Sequence, residues 1–315
     1  MTRVRRLLKP ILSAIVVSCV GFFFYRAFQR NWASVRAHEF RIAPSYLACS
    51  ALGVVATSLL ATLAWYSAMN TLSRSKISFR QSVAAVNASS LTKYIPGKIW
   101  SYALQMYWLD GLGFSKALIV YVNLINLLIS LGMSLMLGLL CLLFSQSSVP
   151  TQPLVAVLVG LAAADICCVL FSRSLLNGLV SLVNRLFKRS FSYFEVSQSL
   201  LVRLHLIHFL AAVTSGVGAY MFCFAIGYRI DFGQALVVVG SSLVADVVGF
   251  LAIIVPGGLG VREGLMYAML GGQATGSLSL ILPVASRMLN MFVDVLLGAV
   301  ALKLLQTLAA KQREP

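Results

Sequence analysis

The residues best suited to chemistry lie around a glycine-rich turn in the C-terminal half of the chain. Positions 256–264 read Pro-Gly-Gly-Leu-Gly-Val-Arg-Glu-Gly. Such a turn before a helix leaves backbone N–H groups unbonded, and the helix dipole favours an anion there. A guanidinium on the first helical turn can bind phosphate through two parallel hydrogen bonds. The pattern predicts a phosphate or lipid-headgroup site. Its members are Pro256, Gly257, Gly258, Gly260, Arg262 and Glu263.

Four further polar residues accompany this turn in otherwise apolar sequence. They are Asp246, Arg287, Asn290 and Asp294, and the last three share one helical face by their spacing. Ionisable groups in hydrocarbon are costly and usually face a cavity or one another. Two interpretations stay open. One is a cationic headgroup site, and the other is a structural network in which Arg262 pairs with Asp246 or Asp294, and Arg287 with Asp294.

The N-terminal half carries a weaker counterpart at 91–100, which reads Leu-Thr-Lys-Tyr-Ile-Pro-Gly-Lys-Ile-Trp. Its candidate headgroup-binding residues are Lys93, Tyr94, Pro96, Gly97 and Lys98. The two lysines either bind a headgroup or extend along apolar surface to the membrane interface, and the second interpretation is slightly favoured.

The elements that position these residues have the composition of a membrane protein. Of 315 residues, 59% are hydrophobic and 11% charged, and the mean hydropathy is +0.89. Soluble domains are about 45–50% apolar and about 25% charged. These values exclude a soluble enzyme, a disordered tail and a nucleic-acid-binding module. The net charge of +16 fits the cytoplasmic excess of Lys and Arg in membrane proteins.

Apolar runs of about 20 residues predict an all-α integral membrane protein with about six full spans. The spans lie at about 8–28, 46–69, 117–145, 153–171, 204–227 and 279–305. Two further apolar stretches, 78–115 and 231–275, are interrupted by Pro-Gly. A helix broken at membrane depth must be enclosed by protein or line a cavity. We predict a re-entrant helical hairpin in each stretch.

The order of span, broken stretch and span occurs twice, which predicts an inverted-topology repeat within a single membrane domain, 1–315. Unit one is about 46–145 and unit two about 204–305. Ser-Phe-Arg-Gln at 78–81 aligns with Asp-Phe-Gly-Gln at 231–234, and the offset grows from 153 there to 160 at the Pro-Gly pairs. Inverted repeats with broken helices are the layout of many secondary transporters. The alternative is that Pro-Gly only kinks two ordinary helices.

Charge placement predicts that both termini are cytoplasmic. Lys and Arg concentrate at 1–10, 70–80, 172–203 and 306–315. The loops at 146–152 and 271–278 contain neither residue, as the positive-inside rule requires of outer loops. The segment 29–45, with three arginines outside, is an exception. The basic and aromatic stretch 174–198 is predicted to be an amphipathic cytoplasmic linker on the anionic inner leaflet.

No further pattern identifies catalysis. His205 and His208 share a helical face without a neighbouring carboxylate in sequence, so we predict no metal site there. Asp165, alone in its span, is either a proton carrier or the partner of an arginine. Common hydrolase, zinc-protease and nucleotide-binding motifs do not occur. We predict no cofactor and no enzyme activity, with an intramembrane transferase of dispersed residues as an alternative.

Two of these segments resemble motifs of one family. The segment 91–100 is similar to the K-Y-x-P-G-K-x-W motif, and 254–264 to the P-G-G-L-G-x-R-E motif, of flippase-like proteins related to the lysylphosphatidylglycerol synthase transmembrane region. The resemblance covers roughly 10–308. It implies an integral inner-membrane protein that handles lipids. Because few residues follow the last span, we expect no aminoacyl-transfer domain and no synthase activity.

The leading hypothesis is a flippase that moves an anionic phospholipid or a polyprenyl-phosphate-linked lipid across the cytoplasmic membrane. Lys98 would meet the headgroup from the cytoplasmic side, and Arg262 from the outer side. One alternative is an accessory protein that positions a glycosyltransferase of a lipid-linked glycan or cell-envelope pathway. The other is the lipid-modifying transferase. Membrane lipids are the expected partners, and nucleic acid is not.

Overall fold

The fold is all-helical over the residues that the computed structural model describes, which are 41–94, 100–145, 151–170, 196–252, 258–271 and 276–311 with Tyr25 and Gln29. Nine α-helices and one 3-10 turn, and no strand, occur in that part of the chain. The helices are α1 Pro44–Leu72, α2 Phe79–Ser90, α3 Trp100–Asp110, α4 Lys116–Phe144, α5 Thr151–Leu170, α6 Gln198–Ala225, α7 Phe232–Leu251, α8 Val261–Leu270 and α9 Gly276–Lys311. The 3-10 turn, Leu91–Tyr94, follows α2.

Five of the described helices are long and apolar enough to cross a membrane, namely α1, α4, α6, α7 and α9. Their outward faces carry large apolar side chains such as Leu206 of α6 and Met288 of α9, which are 65% and 67% exposed. A helix that is apolar on its outer face as well as its inner face is typical of a membrane span. The architecture is that of a multi-pass membrane protein.

The helices overlap the predicted spans from 46–69 onward, and the predicted span 8–28 and most of the linker 174–198 lie outside the described residues. The helix at the start of the second broken stretch, α7, has 20 residues and is long and apolar enough to cross a membrane. It is eight residues longer than the 12-residue α2. The seven-residue increase in offset between the two aligned stretches corresponds to these two extra turns.

The aligned tetrapeptides at the start of the broken segments form the same structure. The Ser78 hydroxyl accepts a hydrogen bond from the Gln81 backbone, and the Gln81 side chain accepts one from the Ser78 backbone. Asp231 and Gln234 form the same reciprocal capping box at the start of α7. This arrangement satisfies two N–H groups that a helix start leaves unbonded. The shared pattern therefore starts both helices in the same way.

Helices α1 and α6 form the most extensive contact among the described helices, and they run antiparallel. Hydrogen bonds cross the seam at Ala43–Ala225 (3.0 Å), Ser50–Gly218 (2.8 Å), Thr57–Thr214 (2.9 Å) and Ser67–Arg203 (3.4 Å). The two backbones approach closely at Gly53, where an added Cβ would lie only 3.0 Å from the Gly218 Cα. Small residues and hydroxyl bonds of this kind are what bring membrane helices together.

One core cluster lies at the end of this pair where α1 finishes and α6 begins. It contains Trp65 of α1 and Leu204 of α6, together with Ile77 before α2, Leu109 of α3 and Phe114 before α4. Residues beside the two ends of the first broken segment, 78–115, therefore lie in one core cluster.

A second cluster lies at the opposite end, where α6 finishes. It contains Phe222 of α6, Val238 of α7 and Leu270 of α8. The Tyr228 hydroxyl donates to Ser277 Oγ (2.8 Å) and ties the loop after α6 to the start of α9. Burial raises the pKa of the Tyr228 phenol above its ordinary value. Residues beside the two ends of the second broken segment, 231–275, thus lie in this second cluster.

Two further helix pairs pack across the halves of the chain. Helix α4 contacts α7, and α9 contacts α2 and the turn after it. Gly240 of α7 packs against α4, where an added Cβ would lie 2.7 Å from Leu142 Cγ and 2.8 Å from the Gly138 carbonyl oxygen. On α9, a Cβ at Gly298 would overlap the Leu91 side chain. Each contact joins a broken segment to the last long helix of the other half.

We expect Gly240→Ala to destabilise the bundle by about 1–3 kcal/mol, because the new methyl group has to push α7 away from the α4 backbone. The measurement is chemical or thermal denaturation of the purified chain in detergent. The matched control is Gly132→Ala on α4, where nothing lies within 4 Å of the added carbon. Equal stability of the two variants would contradict the close α4–α7 packing.

Candidate functional site

Four charged residues from three helices meet inside the second half of the bundle. Asp246 lies on α7, Arg262 and Glu263 on the first turn of α8, and Arg287 on α9. We refer to these four residues as the charge cluster. Although they are separated by up to 41 positions in sequence, the turn between α7 and α8 and the packing of α9 bring them together.

Glycines make the approach of α8 to α7 possible. Gly258 has a φ of +68°, and a Cβ there would overlap the Gly249 carbonyl of α7. A Cβ on Gly249 would in turn lie 2.9 Å from the Arg262 Cβ. Gly260, the residue before α8, also has a positive φ of 82°. Residues with a side chain rarely adopt a backbone conformation with positive φ. Glycine is therefore required for the turn to place Arg262 against α7.

Glu263 is held in place by the start of its own helix. Its Oε2 accepts a hydrogen bond from the Gly260 backbone N–H, with a separation of 2.5 Å. A carboxylate at this position satisfies an unbonded N–H and interacts favourably with the positive end of the helix dipole. The other carboxylate oxygen, Oε1, is then directed toward the arginines.

Ion pairs connect the charge cluster. Arg262 Nε donates to Asp246 Oδ1, and Arg262 Nη1 donates to the Pro283 carbonyl of α9 at 3.5 Å. Glu263 Oε1 lies 3.9 Å from Arg262 Nη1 and 3.7 Å from Arg287 Nη1. Within the described residues this oxygen has no hydrogen-bond partner, so it interacts with both guanidinium groups through charge alone.

Burial of the charge cluster is uneven. The side chains of Arg262, Glu263 and Arg287 are 4%, 7% and 14% exposed, whereas that of Asp246 is 38% exposed. Two positive and two negative formal charges give the cluster no net charge. Buried ions are tolerated when an opposite charge lies beside them. Removing one partner of a buried pair costs on the order of 3–5 kcal/mol, because the other charge is left unpaired.

Comparison with protein families identifies the chain. The family described as the lysylphosphatidylglycerol synthase TM region matches residues 11–298. The chain belongs to this family. Membership connects this multi-pass membrane protein with membrane lipids, as the resemblance in the two Pro-Gly motifs predicts. No curated protein matches the chain.

Not every residue predicted for the site of this family member can be placed. Pro96, Gly97, Lys98, Pro256 and Gly257 lie outside the described residues. The backbone of Lys93 and Tyr94 forms the 3-10 turn after α2, and their side chains are not described. Gly258, Gly260, Arg262 and Glu263 are placed together, as described above.

The remaining predicted residues lie on α9. Asn290 and Asp294 are one and two turns beyond Arg287 and are half-buried. The first broken segment meets the same helix farther along, where Leu91 packs on Gly298. Gly298 is 11 residues beyond Arg287, which is about 16 Å at the helical rise. Asn290 and Asp294 therefore occupy the stretch of α9 between the two broken segments.

The first half of the chain contains a network of uncharged polar groups that the sequence patterns did not predict. Asn87 of α2 accepts from Ser58 (2.7 Å) and donates to Thr62 (3.2 Å), both on α1. The amide of Gln105 donates to Ser89, and Asn123 donates to Gln105. The available signal was the low apolar content of α2, in which Ser82, Asn87 and Ser89 are buried.

His205 and His208 both have hydrogen-bond partners within the bundle. His208 Nε2 lies 3.0 Å from Asn126 Oδ1, and His205 Nδ1 lies 2.6 Å from the Leu201 carbonyl. The Asn126 amide donates to Val122, so its oxygen is the acceptor for His208. No group of three potential metal ligands occurs among the described residues. The side chain of Asp165 is not described.

We expect Arg262→Gln to destabilise the protein by about 3–5 kcal/mol, because Asp246 and Glu263 lose a buried counter-charge. Denaturation of the purified protein in detergent measures the effect. The control is Lys116→Gln, which breaks the exposed Lys116–Asp110 pair at 3.3 Å and should cost about 0–1 kcal/mol. If both substitutions lower the free energy of unfolding by the same amount, the buried Arg262 pairs stabilise the protein no more than an exposed ion pair does.

Proposed function

We propose that this chain moves an anionic, phosphate-bearing lipid between the leaflets of the cytoplasmic membrane. The lipid is a phospholipid or a polyprenyl-phosphate-linked lipid. The observation that carries the proposal is the charge cluster, in which Arg262 and Arg287 lie inside a membrane bundle at a helix break. Its coarser basis is membership of a lipid-associated membrane family.

The depth of the cluster supports a translocation pathway. Asp246 lies 14 residues beyond Phe232, or about 21 Å along α7, and Arg287 lies 11 residues beyond Gly276, or about 16 Å along α9. The hydrocarbon of a bilayer is about 30 Å thick. Ionisable residues at such depth are costly and typically belong to substrate or ion pathways. A guanidinium pair of this kind suits a phosphate, which accepts parallel hydrogen bonds.

The proposed mechanism uses an inverted repeat of 46–145 and 204–305, with the broken segments 78–115 and 231–275 as re-entrant hairpins. Three features support it. Helices α1 and α6 occupy equivalent positions and run antiparallel. The broken segments begin at opposite ends of this pair, and each packs on the last long helix of the other half. Transporters with this layout expose a central site alternately to the two sides.

In this scheme the protein carries out no covalent chemistry. We propose that Lys93, Tyr94, Pro96, Gly97 and Lys98 bind the headgroup, and that Lys98 meets it from the cytoplasmic side. Arg262 meets the headgroup from the outer side, and the N- and C-termini are cytoplasmic. A glycosyltransferase partner and a role for the linker 174–198 stay predictions from the sequence.

A scrambling assay tests the proposed transport. Protein reconstituted into phosphatidylcholine vesicles containing a trace of fluorescent phosphatidylglycerol or phosphatidic acid should accelerate leaflet exchange over empty vesicles. The paired variant Asp246→Asn/Arg262→Gln should slow this exchange about tenfold or more, because it removes the charged hydrogen bonds to phosphate while leaving no unpaired charge.

Lys116→Gln, which removes an exposed cation, is the control and should keep the wild-type rate. The proposal is wrong if the folded wild type exchanges anionic lipids no faster than empty vesicles. It is also wrong if the paired variant matches the wild type.

Labelling tests the proposed topology. Single cysteines at Gly111 and Arg229, both exposed in loops beside the two core clusters, are introduced into a cysteine-free chain. We expect a membrane-impermeant maleimide to label Gly111→Cys only from the cytoplasmic side and Arg229→Cys only from the outside. Labelling of both positions from one side would contradict the inverted arrangement.

A further inference from the structure

We infer that Asp246 is an exchangeable counter-ion that occupies, on Arg262, the place of the lipid phosphate. The inference rests on the proposed function and specifies the ligand chemistry of the same site, a phosphate group. In the absence of lipid the cluster is electroneutral, and lipid binding replaces one negative group by another. The phosphate thereby avoids the cost of creating an unpaired buried charge.

The uneven exposure of the cluster identifies Asp246 as the group that leaves. Its side chain is 38% exposed, whereas the other three side chains are 14% exposed or less. An anion that enters the cluster therefore encounters Asp246 first and competes with it for Arg262. Within the described residues Asp246 bonds only to Arg262, so its release breaks no second hydrogen bond.

Glu263 cannot leave in the same way. Its Oε2 is bonded to the Gly260 backbone at the start of α8, and its side chain is 7% exposed. Removal of this carboxylate would leave the Gly260 N–H without its acceptor. It would also leave two guanidinium groups without a shared anion. Glu263 is therefore the fixed carboxylate of the cluster and Asp246 the exchangeable one.

The Glu263 oxygen that makes no hydrogen bond provides a remaining negative charge beside Arg262 when Asp246 leaves. Glu263 Oε1 has no hydrogen-bond partner in the described part of the chain and lies 3.9 Å from Arg262 Nη1. When Asp246 departs, Arg262 retains a counter-charge and gains an available acceptor. The guanidinium then presents its Nε edge, which Asp246 had covered, to the incoming phosphate.

A binding experiment distinguishes this exchange from a purely structural ion pair. The full chain in neutral detergent is titrated with radiolabelled phosphatidic acid, and binding is read by scintillation proximity. Asp246→Asn should lower the Kd about tenfold, because the competing carboxylate is gone while close charge pairs are worth at least this much in measured cycles. Asp246→Glu, which keeps the charge, should not increase the affinity.

The paired variant Asp246→Asn/Arg262→Gln should lose the gain, because the increase acts through Arg262. Asp110→Asn, which removes the carboxylate of an exposed ion pair, should leave the Kd unchanged. Inorganic phosphate serves as a second probe. Displacement of the lipid by equimolar phosphate would identify the free ion as the ligand, and displacement only by lipid would identify the headgroup with its chains.

The inference is overturned if Asp246→Asn binds phosphatidic acid no more tightly than the wild type. It is equally overturned if the gain persists in the paired variant, because the increase would then not act through Arg262. Failure of the proposed function appears differently, as a wild type that binds the lipid but does not exchange it between leaflets.

Discussion

A charge inside a membrane protein has to be neutralised where it lies, and the Arg262–Asp246 ion pair meets this constraint between two helices. Because Arg262 is the second residue of α8, the pair ties this short helix to α7. Glu263 extends the tie to Arg287 on α9. The glycines at this contact follow from the same constraint, since Gly249 of α7 and Gly258 of the turn allow α8 to approach closely enough for the pair to form.

Much of this arrangement can be predicted from local sequence. The long apolar runs locate α1, α4, α6 and α9, and the matching tetrapeptides at 78–81 and 231–234 mark two helix starts that prove to be capping boxes. The small number of ionisable residues in this half also limits the predicted partner of Arg262 to Asp246 or Asp294, and the structure has the Asp246 pair. With so few charges in hydrocarbon, each has few possible partners.

Other features depend on tertiary contacts that local patterns do not encode. Asn87, Gln105 and Asn123 lie on three helices, and each alone is an ordinary polar residue. Their packing completes the hydrogen bonds that make burial tolerable. The exposure of Asp246 likewise depends on how α8 and α9 cover its neighbours.

The small residues of the α1–α6 seam affect how the two halves can move. At Gly53 and Gly218 one backbone lies directly against the other, and the Thr57 and Thr214 hydroxyls bond across the gap. At both glycines the nearest atoms across the seam belong to the backbone of the partner helix, so a slight tilt about this line displaces little side-chain volume. At the α4–α7 contact, by contrast, Leu142 packs into the space above Gly240 and resists sliding. Of these two contacts, the α1–α6 seam is therefore the one at which a small pivot displaces less side-chain volume.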